Sequence, residues 1–212
     1  MGTISKGILG GFSGKVGNVV GGTWKGIDYM RSKTSRRNFK PTQPQLEQQL
    51  KFALAVRFVQ TMTGLVDISF ADFAVRKTGF NSALSYTLKN AVAGAYPVYS
   101  IKYDDALVSR GDLPNVLGPA VTSGAGSLLT WSWTNNSGVG IAKPADKALL
   151  VAFCPVTNQC IYTTGSANRS ALTDSLNLAA FSGHDVQTWI GFISEDGQNI
   201  ASSIYTGKVT VF

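Results

Sequence analysis

The residue types that could carry chemistry in this chain are few, and they do not cluster in the sequence. The single histidine, His184, stands beside Asp185, and the two cysteines are Cys154 and Cys160. A zinc site needs three or four Cys, His or carboxylate ligands at close spacing, which these residues do not supply. No Gly-x-Ser-x-Gly segment that would present a serine nucleophile occurs either. We therefore expect no catalytic residue and no metal ligand, and a protein that is not an enzyme.

A glycine-rich segment near the start resembles a phosphate-binding loop only in part. In Gly10–Val16, a Gly-Lys pair is followed by Val16, where the loop needs a Ser or Thr to bind magnesium. Leu9 occupies the position of the first glycine of that loop. The segment therefore predicts no nucleotide site, and we expect no cofactor.

Basic residues, in contrast, are strongly concentrated at the start of the chain. Residues 1–40 contain eight Lys or Arg against Asp28 alone, a net charge of +7 that equals the charge of the whole chain. Concentrated positive charge attracts polyanions, of which nucleic acid is the commonest in cells. The predicted nucleic-acid contacts are Lys15, Lys25, Arg31, Lys33, Arg36, Arg37 and Lys40. A solubilising tail, or a basic surface against an acidic neighbour, is the alternative explanation of this charge.

Two aromatic residues, Trp24 and Tyr29, lie among these cations. Aromatic faces can stack on bases while the cations neutralise phosphates. The segment is too small to bury two such side chains by itself. We therefore expect Trp24 and Tyr29 to pack on the C-terminal part of the chain, on a neighbouring subunit or on bases, and we assign them to packing and assembly.

The elements that carry these residues are predicted as follows. Residues 1–40 form a basic, glycine-rich arm with a β-hairpin, in which Val16–Val20 and Trp24–Met30 are strands and Gly21-Gly22 is the turn. Thr42 and Gln45 match a capping box, so a helix begins there and extends to about Met62. A second helix is predicted from Asn81, as its cap, to Ala93, followed by a hairpin of Val98–Tyr103 and Ala106–Ser109. These elements define a segment 41–112.

Residues 113–212 show short strands with alternating apolar residues and turn signals between them, which predicts a β-sandwich. Trp131 and Trp189 are placed mid-strand as its aromatic centre. Cys154 and Cys160 lack immunoglobulin spacing, so a fibronectin-like sandwich is favoured over an immunoglobulin one; they are free thiols or a bridge across a turn. The fold class is α+β and mainly β. The strands are predicted at 116–122, 127–135, 148–153, 159–164, 171–178, 185–194, 199–206 and 208–212.

The sequence shows no targeting signal. Residues 1–6 lack the apolar core of a signal peptide, and no run approaches 18 apolar residues. We expect no membrane contact and a location in a virion if the protein derives from a phage, or otherwise in the cytoplasm.

Two stretches of the N-terminal segment resemble a known family. The sequences GILGGFSGKVGNVVG (residues 7–21) and WKGIDYMR (residues 24–31) are similar to the opening of an uncharacterised family of proteins common in Bacteroidota genomes. The similarity extends over nearly the whole chain, including Trp189 and the turn Ser194–Gly197. It implies a domain of unknown function and no catalytic residues.

These features together predict a structural protein that assembles with itself. Only 15% of its residues are charged, against about 25% in an ordinary domain, which leaves much uncharged surface for packing between subunits. A coat or other virion component of a small bacteriophage is the favoured interpretation, with the arm contacting nucleic acid or neighbouring subunits. A nucleic-acid-binding module without sequence preference is the first alternative, and a cell-surface interaction module is the second.

Overall fold

The computed structural model describes residues 2–4, 11–34, 40–73 and 77–212. The chain divides into two compact units, Met1–Thr42 and Gln43–Phe212, called here unit 1 and unit 2. The structure does not divide unit 2 near residue 112, so the helices predicted in 41–112 and the strands predicted in 113–212 form one body.

Unit 1 contains a four-stranded antiparallel sheet in which the strands follow one another in chain order. The predicted turn at Gly21-Gly22 is wrong, because both glycines lie inside a strand. The chain turns at Gly17-Asn18 and at Lys25-Gly26 instead. The strands are β1 (Thr3–Ile4), β2 (Phe12–Val16), β3 (Val19–Trp24) and β4 (Ile27–Ser32).

The second turn explains why the hairpin is displaced from the predicted position. Lys25 has a φ of 46° and Gly26 a φ of 80°, so both central residues are left-handed. A two-residue turn of this kind follows the twist of the flanking strands, and a glycine at its second position costs nothing in strain. A Lys-Gly pair is a weaker sequence signal than Gly-Gly, which is why the pattern favoured the wrong pair.

Unit 2 begins with three helices, α1 (Gln43–Gln60), α2 (Thr63–Ser69) and α3 (Gly79–Asn90). α1 begins directly after Thr42, the predicted cap. Only its second half is buried, through Ala55, Phe58 and Val59. The predicted apolar stripe is therefore correct toward its C-terminal end and wrong near Leu50, which is exposed.

α3 differs from its prediction at both ends. Its cap is Thr78, whose hydroxyl accepts a hydrogen bond from the Asn81 amide at 3.2 Å, so Asn81 is not the cap. The chain leaves the helix at Asn90 and forms a hairpin of β5 (Val92–Ala95) and β6 (Val98–Ile101). The predicted hairpin partner at 106–109 is not a strand.

The rest of unit 2 is a β-sandwich of seven antiparallel strands. One sheet has the order β11-β8-β7 and the other the order β10-β9-β12-β13. The strands are β7 (Leu117–Gly124), β8 (Leu128–Thr134), β9 (Lys147–Cys154), β10 (Gln159–Tyr162), β11 (Thr173–Asn177), β12 (Asp185–Ile193) and β13 (Ile204–Thr210).

The four-stranded sheet of unit 2 is covered on both faces, which gives the unit three layers. Side chains such as Leu150 point into the core between the two sheets, together with Trp131. Their neighbours, such as Val151, point into a second core formed with α1 and α2. Trp189 belongs to this second core and not to the centre of the sandwich as predicted, and its indole Nε1 donates to Ala106 O at 3.0 Å.

The two strands predicted at 199–206 and 208–212 both overlap one strand, β13, and residues 199–203 precede it. Thr188 pairs with Gly207 and Trp189 with Tyr205, so Thr206 is the extra residue of a β-bulge. Gly207 has a φ of 108°, which a glycine adopts without strain. The glycine therefore marks an irregularity within a strand, although in the sequence it resembles a break between two.

No single described helix is both long and apolar enough to cross a bilayer. α1 and α2 together meet the length and composition, but the chain bends by 89° between them.

Candidate nucleic-acid interface

The strand register of unit 1 decides which of its side chains share a face. Opposite residues of β3 and β4 are Val20 with Arg31, Gly22 with Tyr29, and Trp24 with Ile27. Side chains alternate between faces along a strand, so these six residues lie on one face of the sheet.

Lys15 of β2 pairs with Val20 and joins the same face. The ladder continues past β4, because the Lys33 amide donates to Asn18 O at 2.7 Å, which gives Lys33 the alternation of Arg31. We call this surface the basic–aromatic face and define it by its large and charged residues, Lys15, Trp24, Ile27, Tyr29, Arg31 and Lys33.

The large apolar residues of the basic–aromatic face lie open to solvent. Trp24 is 56% exposed, Ile27 57% and Tyr29 47%. The only carboxylate of residues 1–42, Asp28, pairs with Thr23 and lies on the opposite face, where the Thr23 hydroxyl donates to it. The basic–aromatic face therefore carries three positive charges and no negative one.

Two glycines make room for aromatic rings on this sheet. A Cβ added to Gly22 would lie 3.1 Å from the Tyr29 hydroxyl, so the Tyr29 ring lies across the strand at that point. On the opposite face a Cβ on Gly21 would collide with the Phe12 carbonyl oxygen and would lie 2.8 Å from the Phe12 ring. The Gly-Gly pair thus lets Tyr29 approach the sheet on one face and Phe12 on the other, and an exposed aromatic ring offers its face for stacking.

The opposite face is apolar over much of its area. Val16 pairs with Val19, and Met30 lies beside them opposite Gly21. All three are exposed, and Met30 is 71% exposed. We call these three residues the apolar face.

The structure thus brings together five of the nine predicted site residues, Lys15, Trp24, Tyr29, Arg31 and Lys33. Lys25 lies in the β3–β4 turn, and Lys40 lies beyond the sheet, before α1. Arg36 and Arg37 are outside the described residues. The expectation that Trp24 and Tyr29 become buried in an assembly or against bases stays a prediction, since both are open in the single chain.

The candidate chemical residues of unit 2 occupy structural positions. His184 lies in a turn, where its amide donates to Phe181 O at 2.9 Å. Cys154 and Cys160 are free thiols. Cys154 points into the sandwich core and Cys160 into the helix-side core, so the two thiols lie on opposite faces of the sheet. Burial raises the pKa of Cys160 to about 12, which keeps the thiol protonated. The described residues contain no cluster of three or more potential metal ligands.

A buried ion pair in unit 2 was not foreseen from the sequence. Arg169 and Asp146 are both fully buried, and Arg169 Nε donates to Asp146 Oδ2 at 3.1 Å. The remaining guanidinium nitrogens donate to Asn136 Oδ1 at 2.7 Å and to Pro114 O at 2.9 Å. Because these contacts join segments that lie between strands, the pair is structural. Nothing in the sequence distinguishes these two residues from exposed charges.

Comparison with protein-family models assigns the chain to a family. Residues 11–207 match the model of a family of unknown function, DUF6266. The chain belongs to this family, a result that agrees with the resemblance to an uncharacterised family.

Other comparisons add little. No curated protein matches the chain. Among solved structures, the chain is similar to the fibronectin type III domain of the human collagen alpha-1(XX) chain, at 12% identity and a TM-score of 0.35, over 49% of this chain and 89% of that one. A similarity this weak supports no conclusion about function.

Proposed function

We propose that this protein binds nucleic acid without sequence preference through the basic–aromatic face of unit 1. The observation that supports the proposal is the sorting of charge by the sheet register: Lys15, Arg31 and Lys33 share a face with Trp24 and Tyr29, and Asp28 lies on the other face. Cations on that face neutralise phosphates, and the exposed rings stack on bases.

The proposal favours single strands over duplexes. Bases must be unstacked before an aromatic side chain can lie against them, and an open sheet with exposed rings is a platform for such bases. The phosphate contacts carry no sequence information, and no helix of unit 1 is described that could enter a major groove.

The test is a salt titration of affinity for random single- and double-stranded oligonucleotides. Log affinity falls with log salt, and a variant with Lys15→Gln, Arg31→Gln and Lys33→Gln should make this negative slope shallower by roughly 2 for single strands. The control carries Lys51→Gln, Arg57→Gln and Lys143→Gln, the same change of charge in unit 2, and should keep the wild-type slope. Equal slopes for all three proteins would reject the proposal.

A variant at Trp24 separates the contribution of base stacking to binding from that of charge. Trp24→Ala should weaken single-strand binding by about 5- to 100-fold, the loss of one stacked base, and leave duplex binding nearly unchanged. If both affinities fall together, the ring contributes to the sheet and not to base stacking.

Self-assembly as a coat or other virion component is the second candidate. It is favoured by the apolar face, where three exposed apolar side chains lie on a sheet in which β4 is an edge strand among the described residues. Soluble proteins cover such edges and patches, and subunit contacts are one way of doing so.

Sedimentation tests this candidate. The purified protein should sediment as a homo-oligomer, and Met30→Asp on the apolar face should dissociate it. Val156→Asp places the same charge at an equally exposed residue of unit 2 and should have no effect. A wild-type monomer of 22.5 kDa throughout the micromolar range would exclude assembly.

Unit 2 supplies a rigid body under either candidate. We assign its sandwich to the fibronectin type III-like class, since its seven antiparallel strands divide into sheets of three and four. In this class the loops at the two ends of the sandwich vary freely while the sheets stay fixed, so the class itself specifies no ligand.

A further inference from the structure

A second basic surface lies in unit 2. An open pocket with a volume of about 380 Å³ lies beside α3. Its lining includes Phe73, Lys77, Ser85, Tyr86, Lys89 and Arg110.

α3 contributes one complete stripe to this pocket. Ser82, Ser85, Tyr86 and Lys89 follow the spacing i, i+3, i+4, i+7, which places them on one side of the helix. Ser82 is buried, like Thr87 on the core side of α3, and its hydroxyl donates to Phe73 O at 3.2 Å. Ser85 and Tyr86 are half-buried and Lys89 is exposed, so this part of the stripe is open to water or to a polar ligand.

Arg110 is held in a fixed orientation on the other side of the pocket. Its guanidinium carbon lies 4.1 Å from the centroid of the Phe73 ring and 5.6 Å from that of Tyr86. The Arg110 amide donates to Ser69 O at 3.1 Å, and the neighbouring Ser109 hydroxyl donates to Ala201 O at 2.8 Å, which fixes the backbone. The side chain is half-buried, and within the described residues its guanidinium makes no ion pair or hydrogen bond.

The charge of the pocket defines the ligand it suits. Lys77, Lys89 and Arg110 line it, and no carboxylate is among its described lining residues. A guanidinium beside aromatic rings keeps its planar set of donors in place for the oxygens of an anion, and the lysines add positive charge. A doubly charged phosphate gains more from three cations than a carboxylate does.

We propose that this pocket binds a phosphate group, with Arg110 as its planar donor, Lys77 and Lys89 as charge partners and the Ser85 hydroxyl as a further donor. The volume suits a small phosphorylated molecule. The site belongs to unit 2 and is independent of the basic–aromatic face.

Binding of pyrophosphate to the full-length protein, measured by calorimetry or by chemical shifts in NMR, tests the proposal. Arg110→Gln should weaken binding about tenfold or more, because hydrogen bonds from a charged donor are lost. Lys89→Gln, an exposed change that leaves the fold intact, should weaken it by a smaller factor. Arg110→Lys keeps the charge but not the planar donors, so its affinity should lie between that of the wild type and that of Arg110→Gln. Arg57→Gln is the matched control, since Arg57 is an exposed arginine of unit 2 outside the pocket, and should bind like the wild type.

Two results would overturn the proposal: no saturable binding of pyrophosphate at millimolar concentration, or equal affinities for Arg110→Gln, Lys89→Gln and Arg57→Gln. The triple variant of the basic–aromatic face should bind pyrophosphate like the wild type, so failure at one site is distinguishable from failure at the other. An eight-nucleotide DNA strand is then added to the triple variant with pyrophosphate bound. If the DNA displaces pyrophosphate, nucleic acid is the source of the phosphate. If pyrophosphate stays bound, the source is a small molecule. Both results support the phosphate site.

Discussion

The sheet of unit 1 and the four-stranded sheet of unit 2 both contain strands with large apolar residues, which are exposed in β4 and buried in β9. β4 is exposed at every position, although it contains Ile27, Tyr29 and Met30. β9 is buried at every position except its first. An aromatic or aliphatic strand is therefore not by itself a core strand. The difference makes the uncovered sheet a candidate contact surface, because covering large apolar side chains that lie in water lowers the free energy.

The largest expected effect on the free energy of unfolding comes from a buried charged residue of unit 2. Asp146→Ala leaves the Arg169 guanidinium buried without its partner, which should lower the free energy of unfolding by about 3–5 kcal/mol. Asp28→Ala removes a carboxylate from the open sheet of unit 1 and should change stability by at most about 1 kcal/mol. Urea denaturation of both variants measures the difference. If the two substitutions lower the free energy of unfolding equally, burial of the charged residue does not decide its contribution to stability.

A matched pair of tryptophans gives the next largest effect. Trp189→Phe removes the hydrogen bond from Nε1 to Ala106 O and leaves a small cavity, at a cost of about 1–3 kcal/mol. Trp24→Phe, at an exposed position, should change the stability of the chain by no more than about 0.5 kcal/mol. Thermal unfolding of the monomeric protein compares them. A large cost at Trp24 would mean that its ring is covered in solution.

The smallest effect concerns a carboxylate on the exposed rim of unit 2. A hydrogen bond from the Thr210 hydroxyl, together with the nearby Lys208 ammonium, lowers the pKa of Asp185 below its ordinary value. A depressed pKa contributes stability that is present above the unfolded-state pKa and is lost as the pH falls through the folded-state pKa. Thr210→Val should therefore raise the pKa of Asp185, as followed by NMR titration of its carboxyl carbon.

The control for this titration is Thr122→Val, which changes an exposed threonine whose hydroxyl contacts a carbonyl and no carboxylate. An Asp185 pKa that stays the same in Thr210→Val would show that the hydrogen bond is not maintained in solution.

Much of unit 2 was predictable because its signals are local. Alternating apolar residues located six of the seven sandwich strands to within about two residues at each end, and helix periodicity located α1 and α3. The predicted ends of helices and strands were wrong where two local sequence signals competed. Thr78 and Asn81 are both good caps, and only the packing of α3 selects Thr78. Gly207 resembles a strand break because a bulge and a turn both need positive φ.

The candidate sites were predictable to different degrees. The cations and aromatic residues of the arm are visible as a cluster in the sequence, but their division between two faces is not, because a register one residue different would exchange the faces. The pocket beside α3 combines Phe73 and α3 with Arg110, which lies 20 residues beyond the end of α3. Such a site has no sequence pattern beyond the polar stripe of α3.

The sequence by itself determined the mainly β character of the protein, the concentration of its positive charge in residues 1–40 and the absence of a Cys/His ligand set from the whole chain. These properties depend on composition and on neighbours a few residues apart. Only the tertiary structure decided that Trp189 faces the helices while Trp131 faces the second sheet, that Cys154 and Cys160 point in opposite directions, and that Arg169 meets Asp146. Each of these depends on which face of a strand is covered and by what, and that is fixed by contacts between segments far apart in the chain.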